Sequence, residues 1–298
     1  MALATLPFFQ RFGLVIHWST FLPSIMAMTV AAIGWMAHFS RPGRPSEWPI
    51  AESLVVFVLI ALCCCVVTPA QYLAVALKRP LADAWLAHAD SLVGISVPEA
   101  VLWTKSHPRF ASILLLSYIS LMPQFVAPIV VLGLYYRDRD ALWEYAFNFH
   151  VCLVVTLIGL ALFPAMCAFT YYGFESPIDQ TGFIRDFNAL RNGTFTDVRL
   201  GDLEGLITFP SFHVAGAMMV TWAFRNYPRM FVLLVVLNGL MIGSTVLLGP
   251  HYAVDILASL VVFATSAWVY RLWARNLVKA RDPQVKTVDR RTSNALSR

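Results

Sequence analysis

The chain has 298 residues, 58% of them hydrophobic and 13% charged, with a mean hydropathy of +0.66. A soluble globular domain carries about 25% charge, so this composition excludes a water-soluble globule or a disordered chain and calls for a protein embedded in lipid. The net charge of +5 is not spread over the surface: from Arg271 onward eight basic residues face two aspartates, a local +6 that leaves the rest of the chain nearly neutral.

Runs of the length needed to cross a bilayer, about 20 apolar residues, occur at Leu14–Met36, Leu54–Leu77, Ala111–Tyr136, Phe149–Thr170, Ile207–Phe224, Met230–Leu248 and Tyr252–Trp273. The expected fold is all-α, a polytopic transmembrane helical bundle of six or seven spans. Prolines fall inside these runs at Pro23, Pro69, Pro123, Pro128 and Pro164; they kink a membrane helix without forbidding it, because neighbouring helices satisfy the freed carbonyls. The N-terminus lacks the basic, apolar and small-residue sequence of a cleaved signal, so the first run is expected to stay as an anchor.

A basic stretch after the last run predicts a cytoplasmic C-terminus that touches anionic lipid heads. It has no aromatic interleaving, which argues against nucleic acid as a partner. With seven spans, the 78–109 and 171–206 loops and the Gly249-Pro250 junction share the outer side, and the short loops with Arg41 and Arg44, Arg137 and Arg139, and Arg225 and Arg229 lie inside. Lys78, Arg79, Lys105 and Arg109 in the first outer loop run against that bias, so an even count is the alternative.

The first outer loop, with Trp85, Leu86, Leu92, Val93 and Trp103 among polar residues, reads as a segment lying on the membrane surface. The second gathers Glu175, Asp179, Arg185, Asp186, Arg191, Asp197, Arg199, Asp202 and Glu204 in a chain otherwise poor in charge, and is the first place to look for chemistry. Cys63, Cys64, Cys65, Cys152 and Cys167 all sit in apolar runs without paired ligand spacing, which predicts packing residues and neither a disulfide framework nor a zinc site.

Of seven histidines, His17, His38, His88, His107 and His150 lack a carboxylate or second histidine at helical spacing and are expected to be packed or interfacial rings bonded to carbonyls. His251 differs. Asp255 follows four positions later, on the same helical face one turn on. A carboxylate in hydrocarbon costs about 2.5 to 3.5 kcal/mol on insertion scales, so it needs a partner, and an imidazole N–H donated to it leaves the other ring nitrogen free as a nucleophile or base. His213 follows Pro210 and Ser211, a helix start, where free backbone N–H groups favour an anion such as phosphate. In the seven-span topology both helix starts reach the outer side at one depth.

These residues carry a family resemblance. Pro210-Ser211-Phe212-His213, followed by Ser244-Thr245, five residues, His251, three residues and Asp255, resembles the second and third signature motifs of the type 2 phosphatidic acid phosphatase superfamily. The stretches from Gly205 to His213 and from Gly249 to Asp255 look most like the branch that contains inositol phosphorylceramide synthases and related bacterial proteins. The resemblance implies a core like that of type 2 phosphatidic acid phosphatases and vanadium haloperoxidases, with His251 as nucleophile, Asp255 as its orienter and His213 as general acid. Ser211, the Phe212 amide, Ser244, Arg185 and Arg191 make up the expected substrate-binding set, and the family uses no metal or other cofactor for this step. The implied division is 1–110 for N-terminal spans and an interfacial loop, 111–274 for the catalytic core, and 275–298 for a basic cytoplasmic tail.

The chain departs from the family pattern at three places. Phe212 replaces a glycine, Thr245 replaces an arginine, and the first motif has no counterpart: Arg191 and Arg199 have seven residues between them and Leu200 follows where a proline belongs. The expectation is therefore an integral membrane lipid phosphate phosphatase or phosphotransferase, acting on a phospholipid or isoprenyl phosphate from the outer face of a bacterial inner or plasma membrane. An inositol phosphorylceramide synthase-like headgroup transferase is one alternative; a transporter with a proton relay or a non-catalytic scaffold is the alternative of another class.

Overall fold

The computed structural model describes residues 7–39 and 48–281. Arg41, Arg44, the His38 side chain and the basic residues beyond Arg281 fall outside what it describes. Helices account for most of the described residues. α1 (Pro7–Arg11) and the two-residue strand β1 (Val15–Ile16) lead into α2 (Trp18–Phe39) and α3 (Trp48–Ala76). The first long loop folds as α4 (Asp83–Leu92) and α5 (Val97–Lys105). Then α6 (Pro108–Ile119), α7 (Leu121–Gln124) and α8 (Ala127–Val130) run into a π-helical turn at Val131–Tyr136, and α9 (Arg139–Leu162) follows. The second long loop holds α10 (Ala168–Tyr172), α11 (Thr181–Asn192) and β2 (Asp197–Val198), and α12 (Phe212–Ala223), α13 (Pro228–Leu247) and α14 (Ala253–Arg281) complete the bundle.

Among the described residues, four helices are long and apolar enough to cross a bilayer, over Pro49–Ala76, Arg139–Leu162, Pro228–Leu247 and Ala253–Asn276, and the pair Pro108–Gln124 with Ala127–Tyr136, bent by 47°, has the composition of a fifth. The protein is an all-α integral membrane protein. Two expected runs need correction. The Phe149–Thr170 run is displaced: Asp138 caps α9 by accepting the Ala141 N–H at 3.0 Å, so the helix starts ten residues before the run. It stops at Leu162 because Pro164 disfavours helix at the residue before it. The Ile207–Phe224 run is not one long helix either. Ser211 opens α12, whose 12 residues reach about 18 Å against a hydrocarbon thickness of about 30 Å.

The short α12 is surrounded by α9, α13 and α14, while α9 also packs on α3, and α13 on α6. The small side chains Ala215, Gly216, Ala217 and Ala223 of α12 are buried and let these neighbours approach closely, as membrane helices require when no hydrophobic effect drives them together. Polar contacts fix the register: Asn238 on α13 donates to the Thr221 hydroxyl at 2.9 Å, and Ser266 on α14 donates to Asn148 on α9 at 2.7 Å. Gly159 on α9 lies under the Phe209-Pro210 segment, where a Cβ would overlap the proline ring. That contact brings the entry to α12 down onto the end of α9.

Outside the bundle, β1 pairs in parallel with β2, Val15 opposite Asp197 and Ile16 opposite Val198, so the N-terminal arm holds the second loop. α11 turns Phe183, Phe187 and Leu190 inward and is tied to α3 by the Tyr72 hydroxyl donating to Asp186 at 2.7 Å. Along α4 and α5 Leu86 is buried while Trp85, Leu92 and Trp103 face outward, the pattern of helices whose apolar side meets lipid heads.

Candidate active site

The chain leaves α13 through Gly249, whose φ of +88° is a conformation glycine adopts without strain. It enters α14 two residues after His251. The His251 N–H donates to the Thr245 carbonyl at 2.9 Å, which fixes the backbone, and Nδ1 of the ring lies 2.9 Å from Asp255 Oδ2. His251 and Asp255 are only 4% and 1% exposed. An imidazole that donates Nδ1–H to a carboxylate keeps its lone pair on Nε2, and there the Ser211 hydroxyl donates at 3.2 Å.

Ser211 is also the N-cap of α12, accepting the Val214 N–H at 3.3 Å, and its carbonyl accepts the Ser259 hydroxyl of α14 at 3.0 Å. The two helix starts are thereby joined. His213, in the first turn of α12, stacks on Tyr118 with ring centroids 5.3 Å apart and stands 6.4 Å from the His251 ring. Reacting atoms approach to roughly 3 to 3.5 Å, so this separation accommodates one tetrahedral phosphorus group between the rings.

Both imidazoles line one cavity of about 460 Å³. Its lining includes the apolar Phe125, Phe149, Phe212 and Cys64 and the polar Asp179, Gln180, Glu204 and Thr208, and no lysine or arginine among the described residues lines it. The Thr181 amide donates to Asp179 at 2.9 Å. With the Thr181 hydroxyl, it holds that carboxyl below its usual range, so Asp179 is an anion at neutral pH.

The structure brings together His251, Asp255, His213, Ser211 and Phe212, the last as a cavity-lining ring stacked on Phe125 at 5.7 Å. It does not bring in the other three expected contacts. The Ser244 hydroxyl donates to the Met241 carbonyl of its own helix at 2.6 Å, the usual fate of a serine inside a helix. Arg185 donates through Nε to the buried Asp186 at 2.8 Å, and Arg191 through Nη1 to the Arg79 carbonyl at 2.8 Å. Both guanidiniums are held beside α11, away from the cavity lining.

Among the other histidines, His107 and His150 bond to the carbonyls of Trp103 and Ala146 at 2.8 and 2.6 Å, whereas His17 pairs with Asp197 on β2. Two further residues of the site region escape a reading by motif: Asp83 and Asp90 of α4. The signal for them is periodic. Asp83, Leu86 and Asp90 recur at i, i+3 and i+7, one face of a helix, and all three are buried.

A family model described as the PAP2 superfamily matches residues 84–269, from α4 into α14, and contains the whole two-histidine site. No curated protein and no solved structure matches the chain.

Proposed function

The chain belongs to the PAP2 superfamily, and on that premise we propose that it is a membrane enzyme that moves a lipid phosphate through a phosphohistidine on His251. The observation that carries the proposal is the pair of imidazoles facing one cavity, one of them held by a buried aspartate. In the first step Nε2 of His251 attacks phosphorus, the bond from phosphorus to the leaving oxygen breaks, and protonated His213 gives its proton to that oxygen. Asp255 stabilises the charge that develops on the His251 ring. In the second step an acceptor O–H attacks phosphorus, His213 takes its proton and the N–P bond breaks. Water as acceptor makes the enzyme a phosphatase; an alcohol makes it a phosphotransferase. α14 has the length to cross the bilayer from the His251 end to the basic C-terminal end, so a cytoplasmic C-terminus opens the cavity on the extracytoplasmic side.

The cavity lining favours the transferase. A phosphomonoester dianion meets two carboxylates, Asp179 and Glu204, with no lysine or arginine among the described lining residues to offset them. A phosphodiester carries one negative charge, and hydroxyl donors on its headgroup, or on an acceptor alcohol, can bond to those same carboxylates. This supports a headgroup transfer similar to that of inositol phosphorylceramide synthases.

The test uses the full chain purified in detergent with radiolabelled phosphatidic acid, isoprenyl diphosphate and phosphatidylinositol. His251→Ala is expected to lose at least about three orders of magnitude in turnover, as a member of a group that acts as a unit; activity retained in that variant rules the mechanism out. Faster transfer from phosphatidylinositol to an alcohol than hydrolysis of phosphatidic acid is the result expected of the transferase.

A further inference from the structure

The turn that carries His251 is fastened from outside its own helix. A helix start leaves several N–H groups without partners, and in lipid each unsatisfied one costs several kcal/mol. At the head of α14 all five N–H groups from His251 to Asp255 have acceptors. His251 donates to the Thr245 carbonyl, and Tyr252 to Asp255 Oδ2 at 3.2 Å. Ala253 and Val254 donate to the two oxygens of Asp90 at 3.0 and 2.8 Å, and Asp255 donates to the Tyr252 carbonyl at 3.2 Å. Asp90 thus serves α14 as a cap supplied by another helix, 163 positions earlier in the chain.

Asp83, two turns back along α4, completes the attachment. Its Oδ1 accepts the Tyr252 hydroxyl at 2.9 Å, and its carboxylate also takes the amides of Met166 and Cys167 at 3.0 to 3.2 Å. Asp83 and Asp90 are 5% and 1% exposed. A serine or asparagine satisfies a helix start more cheaply than a buried carboxylate does. Two buried carboxylates with no lysine or arginine partner among the described residues, both directed at the five-residue arc from His251 to Asp255, therefore ask for more than a stability explanation. Burial holds the Asp90 carboxyl above its ordinary range, and the Val254 and Ala253 amides counter only part of that shift.

We propose that Asp83 and Asp90 are positioning residues for His251. They pin the 251–255 arc from α4, Asp90 through the Ala253 and Val254 amides and Asp83 through the Tyr252 hydroxyl, so that Nε2 is aimed into the cavity. The inference rests on the reading of His251 as the nucleophile. α4 is then part of the catalytic machinery as well as a surface helix.

The test is a rapid-quench single turnover with whichever of the three radiolabelled lipids named above wild type turns over fastest. The single-turnover rate constant does not depend on the fraction of molecules that are folded, so a merely structural role leaves it unmoved. Asp90→Ala is expected to slow the phosphorylation step by about 10- to 100-fold, the range for a small misplacement of a reacting group. Asp90→Asn, whose carbonyl still accepts one amide, is expected to recover most of that loss. Tyr252→Phe, which removes only the hydroxyl that reaches Asp83, is expected to slow the same step by about 3- to 10-fold. If Asp90→Ala and Tyr252→Phe keep the wild-type rate constant while His251→Ala is inactive, the positioning role is overturned and the phosphohistidine reading stands. If His251→Ala keeps the rate, both fall together.

Discussion

The two ends of the bundle bury carboxylates in different company. At the end where α9 begins, Glu144 accepts Arg225 at 2.6 Å and the Trp222 indole at 2.9 Å, and Glu52 accepts Arg139 and the Trp143 indole, each at 2.8 Å. Arg225 and Arg271 both lie over the Trp222 ring, at 4.8 and 4.6 Å. At the cavity end, Asp83, Asp90 and Asp255 are held by amides, a tyrosine hydroxyl and one imidazole, with no guanidinium or ammonium among those partners. A carboxylate matched by an arginine has its field cancelled beside it. One held by neutral dipoles has no countercharge beside it, and the Asp255 carboxylate lies 2.9 Å from the His251 ring. The first end is built to hold helices together; the second holds a basic nitrogen in place.

That contrast can be broken by substitution. The largest effect after removal of His251 itself is expected for Asp255→Asn, which keeps the size of the side chain but loses the charge that orients the ring. Turnover should fall by about 100-fold while helix content by circular dichroism stays that of wild type; an unchanged rate removes its orienting role. At the opposite end the expectation reverses. Arg225→Ala leaves Glu144 buried without its cation and should lower stability by about 2 kcal/mol, less than for a fully buried pair because Arg225 is partly exposed. The single-turnover rate constant of the molecules that remain folded should not change. A loss of rate there would mean that the two ends are coupled. The smallest effect is expected for Ser266→Ala, which removes one interhelical hydrogen bond worth about 0.6 kcal/mol in a bilayer and should appear only as a slight shift of the unfolding midpoint in detergent.

The two regions also differ in how far the sequence exposes them. The relation between His251 and Asp255 is local, four positions on one helical face, and Pro210-Ser211 marks a helix start by chemistry that acts within one turn. Those features are readable along the chain. His17 was legible only as an unpaired ring, because its carboxylate, Asp197, is 180 positions away and meets it through the β1 and β2 pairing. Arg185 and Arg191 looked available to an anion because nothing near them in sequence forbids it; the packing of α11 on α3 and the Arg79 carbonyl claim them. The length of α12 was hidden because Ile207 and Phe209 prolong the apolar run while residues 207–210 are not helical.

The sequence by itself determined that this is an all-helical membrane protein, that His251 and Asp255 share one helical face, and that Pro210-Ser211 opens a helix. Those properties follow from composition, period and capping, all of which act over a few residues. Only the tertiary structure decided that the two imidazoles face one cavity, that no arginine or lysine among the described residues joins them there, and that α4 reaches over to fasten the turn bearing His251. These depend on which helix faces pack together, and the packing is set by side-chain shape and hydrogen bonds between segments distant along the chain.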